Sequence, residues 1–94
     1  MYRIVYDDRV IQEDFSGLSI KDRKKIFGVI EKKLFVNPEV FGKPLRKGLQ
    51  GFYRLRVDFY RVIYSIKKKE VTVYVIKVGK RKDGGVYEEA LKRL

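Results

Sequence analysis

The sequence predicts an α+β fold in the order β-α-α-β-β-β-α. Three observations predict it. Apolar residues recur at helical spacing after Ser19. Three β-branched and aromatic runs crowd the second half, joined by very short connections. A final segment from about Gly85 again has helical character. Ninety-four residues, 45% of them hydrophobic, read as a single domain, 1–94.

The elements follow in order. "YRIVY" (2–6) is a short first strand. "DDRVIQEDF" is a short helix with Asp7 or Asp8 as its cap. Ser19 and Asp22 form a capping box for the main helix, whose stripe is Ile26, Phe27, Ile30 and Leu34. Asn37–Pro38 ends that helix, because the residue before proline disfavours the helical region. "FYRLRV" (52–57), "YRVIYSI" (60–66) and "VTVYVIKV" (71–78) are strands. Asp58–Phe59 and the Lys67–Glu70 turn connect them as an antiparallel meander. Val86, Ala90 and Leu94 share one side of the last helix.

Charge is distributed unevenly. Residues 1–42 hold eight Lys/Arg and seven Asp/Glu; residues 43–94 hold fifteen and five. A neutral half joined to a strongly basic half points to a cationic face for a polyanion, most simply nucleic acid. The alternative is a solvated lysine-rich surface. No apolar run approaches the roughly 20 residues of a membrane span, and "MYRIVYDDRV" lacks the pattern of a secretory signal. A cytoplasmic protein is expected, with no membrane partner. Without cysteine or histidine, and without an acidic cluster in the basic half, neither a disulfide nor a metal centre is expected. No cofactor is expected either.

Strand register carries the functional argument. A two-residue turn at Asp58–Phe59 sets Val57 against Tyr60 and Arg56 against Arg61. A turn at Lys68–Lys69 would set Arg61 against Ile76 and Tyr64 against Val73. Side chains alternate across a strand. One face then collects Tyr53, Leu55, Val57, Tyr60, Val62, Tyr64, Ile66, Val71, Val73 and Val75 as a core under the helices. The other carries Arg54, Arg56, Arg61 and Ser65, with Ile63, Tyr74 and Ile76 among them. Like charges directly opposite one another are destabilising. A bound phosphate would offset the Arg56–Arg61 repulsion, since the guanidinium fork matches phosphate oxygens. A different register, or screening by Asp58, would remove the argument.

The stretch "KVGKRKDGGVYEEA" (77–90) adds Lys77, Lys80, Arg81 and Lys82 beside a glycine pair and Tyr87. Together with "KPLRKGLQGFYRLR" and "YRVIY", it resembles the RelE toxins of the RelE/ParE superfamily, and the resemblance runs over essentially the whole chain. It implies a small twisted antiparallel sheet with two N-terminal helices packed on one face and a short C-terminal helix. It also implies a ribosome-dependent endoribonuclease that cuts mRNA in the A site and is silenced by an acidic, RelB-like antitoxin. Operator DNA would be reached only through the antitoxin complex. The family's phosphate-stabilising arginine matches Arg61, its "VGKR" arginine at the leaving oxygen matches Arg81, and its substrate-orienting tyrosine matches Tyr87. Arg56 completes the expected catalytic set. Arg54, Lys80, Lys82, Lys47 and Arg46 are expected to bind RNA phosphates.

One departure matters. The family carries lysines at the strand positions occupied here by Arg54 and Arg56, and one is a candidate general base. Arginine stays protonated in proteins, so these two can position phosphate but are poor bases. Proton removal then falls to Tyr87, Lys80 or Lys82. Against these roles, Tyr87 could simply pack on the sheet, and Lys80 and Lys82 could form a solvated steering patch. Two further readings stand beside the nuclease. One is a ParE-like toxin that binds gyrase and cuts nothing. The other is a non-catalytic RNA-binding module, disfavoured because most aromatics alternate onto the core face.

Overall fold

The computed structural model describes residues 1–80 and 85–94. A five-stranded sheet is ordered β1-β5-β4-β3-β2, from β1 (Arg3–Tyr6), β2 (Lys43–Pro44), β3 (Phe52–Val57), β4 (Tyr60–Lys67) and β5 (Thr72–Lys80). Three helices accompany it: α1 (Ile20–Leu34), the single turn α2 (Pro38–Phe41) and α3 (Gly85–Lys92). The α+β class is as the sequence predicts. The sheet, however, is mixed: β1 pairs parallel to β5, with Arg3 against Thr72 and Tyr6 against Val75. Among the described residues no helix is long and apolar enough to cross a membrane.

Local chemistry explains the N-terminal elements. The Asp7 carboxylate accepts from the Arg9 amide at 2.9 Å and turns the chain after β1; hydrogen bonds from the Arg9 side chain hold its carboxyl down at about 2. The turn continues as a π-helix, Val10–Asp14, closed by Phe15 N donating to Val10 O. Ser19 caps α1 by accepting from Asp22 N at 3.1 Å. The Asp22 carboxylate takes a hydrogen bond of 2.8 Å from the Tyr60 hydroxyl, which raises the pKa of that phenol. Cap and strand are thereby tied together.

Ile26, Ile30 and Leu34 bury one stripe of α1 against Leu55, Val57, Val62, Tyr64, Val73 and Val75. Phe27 sits at the stripe's margin, edge-on to Tyr6 and Phe15. Within this core the Tyr64 hydroxyl donates to Pro38 O at 2.7 Å. Gly42 leaves room for that ring: a Cβ there would lie 1.8 Å from the Tyr64 oxygen. Gly42→Ala is therefore expected to overpack the site and cost about 1–3 kcal/mol. An unchanged urea midpoint would contradict this packing argument.

The β3–β4 register is as predicted, with Arg56 opposite Arg61 and Val57 opposite Tyr60. The β4–β5 register is not. The turn is a 3₁₀ turn, Lys68–Glu70, followed by Val71 at φ 50°, so Lys67 pairs with Thr72. A bulge follows, because Ile63 pairs with Lys77 while Tyr64 pairs with Val75. Arg61 therefore faces Gly79 rather than Ile76. The extra residue, Ile76, flips the phase of β5: Val78 enters the core, while Val71 is left in the exposed turn.

Helices cover both faces, α1 on one and α3 on the other. On the face away from α1, Val86 and Ala90 of α3 pack with Leu49 and Ile63, flanked by Leu45, Phe52, Ile76 and Tyr87. The expected third contact, Leu94, lies beyond the end of α3 and is exposed.

Candidate nucleic-acid interface

Alternation along β3 and β4 places Arg54, Arg56 and Arg61 on the face that α3 partly covers. Tyr87, in the first turn of α3, reaches back to them. Its hydroxyl accepts from Arg61 Nη1 at 2.5 Å and from Arg54 Nη1 at 3.4 Å. The Arg61 guanidinium also lies 5.3 Å from the Tyr87 ring centroid. Tyr87 thus both packs on the sheet and joins two arginines.

Two observations bear on what this arrangement can hold. Among the described residues, the buried Nε atoms of Arg54 and Arg61 have no hydrogen-bond partner, although buried donors are normally satisfied. Asp58, the carboxylate nearest in sequence, is bound to Lys25 at 2.5 Å. It is therefore engaged away from Arg61. An anion with several oxygens would satisfy the unpartnered donors.

The remaining expected cations fall in different places. Arg46 and Lys47 are exposed on the β2–β3 loop, where Gly48 lies against Leu91 of α3, one helical turn from Tyr87. Lys80 pairs with Tyr60 at the end of β5, so it is out of phase with Arg61 and falls on the α1 side. Arg81 and Lys82 lie outside the described residues. Lys77 is no part of a phosphate patch: it is buried and bound to Asp14 at 2.9 Å.

That contact belongs to a cluster with no sequence signal. The nearly inaccessible Asp14 carboxylate receives Lys77 Nζ, Val78 N and both terminal nitrogens of Arg93. Arg93 Nη1 also donates to Ile76 O at 2.9 Å. The cluster fastens the end of α3 to β5 and so fixes the helix that carries Tyr87.

The ParE toxin family of type II toxin–antitoxin systems matches residues 14–84. The mRNA interferase toxin RelE of Escherichia coli is 34% identical over 98 residues, covering 99% of this chain and 97% of that protein. The chain belongs to the RelE/ParE toxin superfamily. The crystal structure of isolated E. coli RelE superposes with a TM-score of 0.73 at 27% identity, covering 99% of this chain and 98% of that one. A mutant of the same toxin in complex with an antitoxin RelBc peptide gives 0.70 at 30% identity, covering 99% and 97%. The superfamily sheet, with its helices, is therefore the scaffold that presents Arg54, Arg61 and Tyr87.

Proposed function

We propose that this toxin is an mRNA interferase that cleaves messages in the ribosomal A site. The observation that carries this reading is the convergence of Arg54 and Arg61 on the Tyr87 hydroxyl, with both Nε donors left unpartnered. The nucleophile is supplied by the RNA. Its 2′-oxygen bonds to the adjacent phosphorus, the bond from phosphorus to the 5′-oxygen breaks, and a 2′,3′-cyclic phosphate and a 5′-hydroxyl result. One proton leaves the 2′-hydroxyl and one reaches the 5′-oxygen.

The chain's part is mainly electrostatic. Arg61 and Arg56 offset charge on the phosphoryl oxygens, and Arg54 with Tyr87 orients the scissile phosphate. Arg81 supports the leaving oxygen. Arg46, Lys47 and Lys82 attract the flanking phosphates, whereas Lys80, on the α1 side, adds only to the long-range positive field. Tyr87→Phe keeps the ring but removes the oxygen shared by two guanidiniums. It is expected to slow single-turnover cleavage about 10–100-fold, the effect of losing 1.5–3 kcal/mol of hydrogen bonding to charged groups. Cleavage at the parental rate would leave Tyr87 only a packing role.

The antitoxin is an acidic segment that neutralises the basic half of the chain, in keeping with the RelB complexes of the relatives. Its complex with this toxin should weaken as salt rises. Affinity that is constant between low and high salt would contradict this.

The family match also carries the ParE name, and gyrase binding without cleavage is the rival reading. One experiment separates them. Purified toxin is added to ribosomes programmed with a defined message, with and without a chelator, and the mRNA ends are mapped. Cuts within the A-site codon, ending in cyclic phosphate, support the interferase. Intact message together with inhibited gyrase supercoiling would overturn it.

A further inference from the structure

Arg54 reaches Tyr87, but it also lines a second feature. This is a cleft of about 210 Å3 bounded by Lys33, Phe41, Lys43, Arg54, Leu55 and Arg56. Four of these six residues are cations and none is an acid. They come from four elements: the end of α1, α2, β2 and β3. β2 pairs only with Tyr53 and Arg54, so past that point β3 is the open edge of the sheet and borders the cleft. Among the described residues, no carboxylate forms an ion pair with Lys33, Lys43 or Arg54. Phe41 is 46% exposed, and Lys33 Nζ lies 5.5 Å from its ring centroid.

Gathering Lys33, Lys43 and Arg54 in one cleft with no ion-paired carboxylate among the described residues is unfavourable unless an anion is bound there. Cations with an exposed aromatic ring are the combination that holds single-stranded nucleic acid: the charges follow the backbone and a base stacks on the ring. The cleft is also continuous with the arginine–tyrosine site, because Arg54 belongs to both. Lys43 on β2 is in register with Arg54 on β3 and Ile63 on β4, and Arg61 lies two residues along β4 from Ile63, so Lys43 and Arg61 are roughly 12 Å apart. That is within reach of a nucleotide next to the one being cut.

We propose that the cleft is a subsite for a message nucleotide flanking the cut, with its phosphate on Lys33 and Lys43 and its base on Phe41. The proposal rests on the interferase reading, so the test must fail separately from it. Cleavage on programmed ribosomes is followed under single-turnover conditions over a range of toxin concentrations, for the parent, Phe41→Leu, Lys43→Gln and Arg61→Ala. In parallel, binding of a non-cleavable 2′-O-methyl RNA hexamer is read by fluorescence anisotropy at fixed salt.

Phe41→Leu and Lys43→Gln are each expected to raise the half-saturating toxin concentration and the hexamer dissociation constant roughly 5–100-fold, as for loss of one stacked base or its anchor. The plateau rate should stay at the parental value. Phe41→Leu should also flatten any base preference next to the cut. If both variants keep the parental half-saturation and hexamer affinity, the subsite is overturned, even where Arg61→Ala abolishes cleavage and the interferase reading stands. If both instead lose affinity only for the antitoxin, the cleft is an antitoxin contact and the proposal fails. The hexamer arm remains informative should the parent not cleave at all.

Discussion

Arg61→Ala is expected to lower mRNA cleavage on programmed ribosomes by roughly 10²–10³, the usual effect of removing one donor that faces developing charge. Arg61 is held in place for this: its Nη1 is bound to Tyr87, its Nε is buried without a partner, and Arg56 stands opposite on β3. The loss should appear in the rate at saturating toxin, since the other cations of the basic half remain to bind ribosome and message. Arg61→Lys should recover only part of the rate, because an ammonium lacks the planar fork that matches phosphate.

A second readout separates catalysis from folding. Removing Arg61 relieves a like-charge cross-strand pair and loses the bond to Tyr87, two opposed effects, so the thermal midpoint of Arg61→Ala should move by only a few degrees. An inactive variant as stable as its parent identifies a residue kept for chemistry. Arg81→Ala should cost at least as much rate if that residue supports the leaving oxygen. Parental cleavage by both alanine variants would defeat the catalytic assignment and move gyrase binding ahead.

Much of the scaffold is legible because it rests on local rules. The Ser19 cap and the Ile26–Ile30–Leu34 stripe locate α1. Strict alternation with a two-residue turn at Asp58 fixes β3, β4 and the Arg56–Arg61 pair. What is not legible is non-local. Nothing within "YRIVY" says that β1 will lie parallel to β5, since that depends on which sheet edge the meander leaves open. The bulge at Ile76 has no glycine or proline to mark it; it is selected by packing Val78 into the core and leaving Ile63 and Ile76 for α3. A β-branched residue at positive φ, as at Val71, runs against local preference, so the longer turn could not be foreseen.

The same distinction governs the site. Arg54, Arg56 and Arg61 follow from alternation alone. Their meeting with Tyr87 depends on α3 folding back across the sheet, which only tertiary packing decides. Lys77 shows the reverse error: in sequence it belongs to a basic run, yet the bulge turns it inward to a carboxylate 63 residues away.

Asp14→Asn is expected to be the most destabilising of these substitutions, at about 3–5 kcal/mol, the effect of removing one partner from a buried ion pair. The side chains of Asp14, Lys77 and Arg93 are only 2%, 8% and 7% exposed. Asparagine keeps the shape but not the charge that compensates two buried cations. Glu89 and Glu13 stand near Lys77 and Arg93, but both are more than half exposed and compensate weakly. For a domain of this size each kcal/mol shifts the midpoint by about 4–8 °C, so a loss of 3 kcal/mol lowers it by roughly 12–24 °C. The cluster as a whole is a different matter. Replacing Asp14, Lys77 and Arg93 together with apolar residues of similar volume should restore much of the stability, because no uncompensated charge is then left behind. Thermal unfolding of the single and triple variants tests both statements. A midpoint for Asp14→Asn within a few degrees of the parent would mean that the carboxylate does not hold α3, and that Tyr87 is positioned by the Val86 and Ala90 contacts alone.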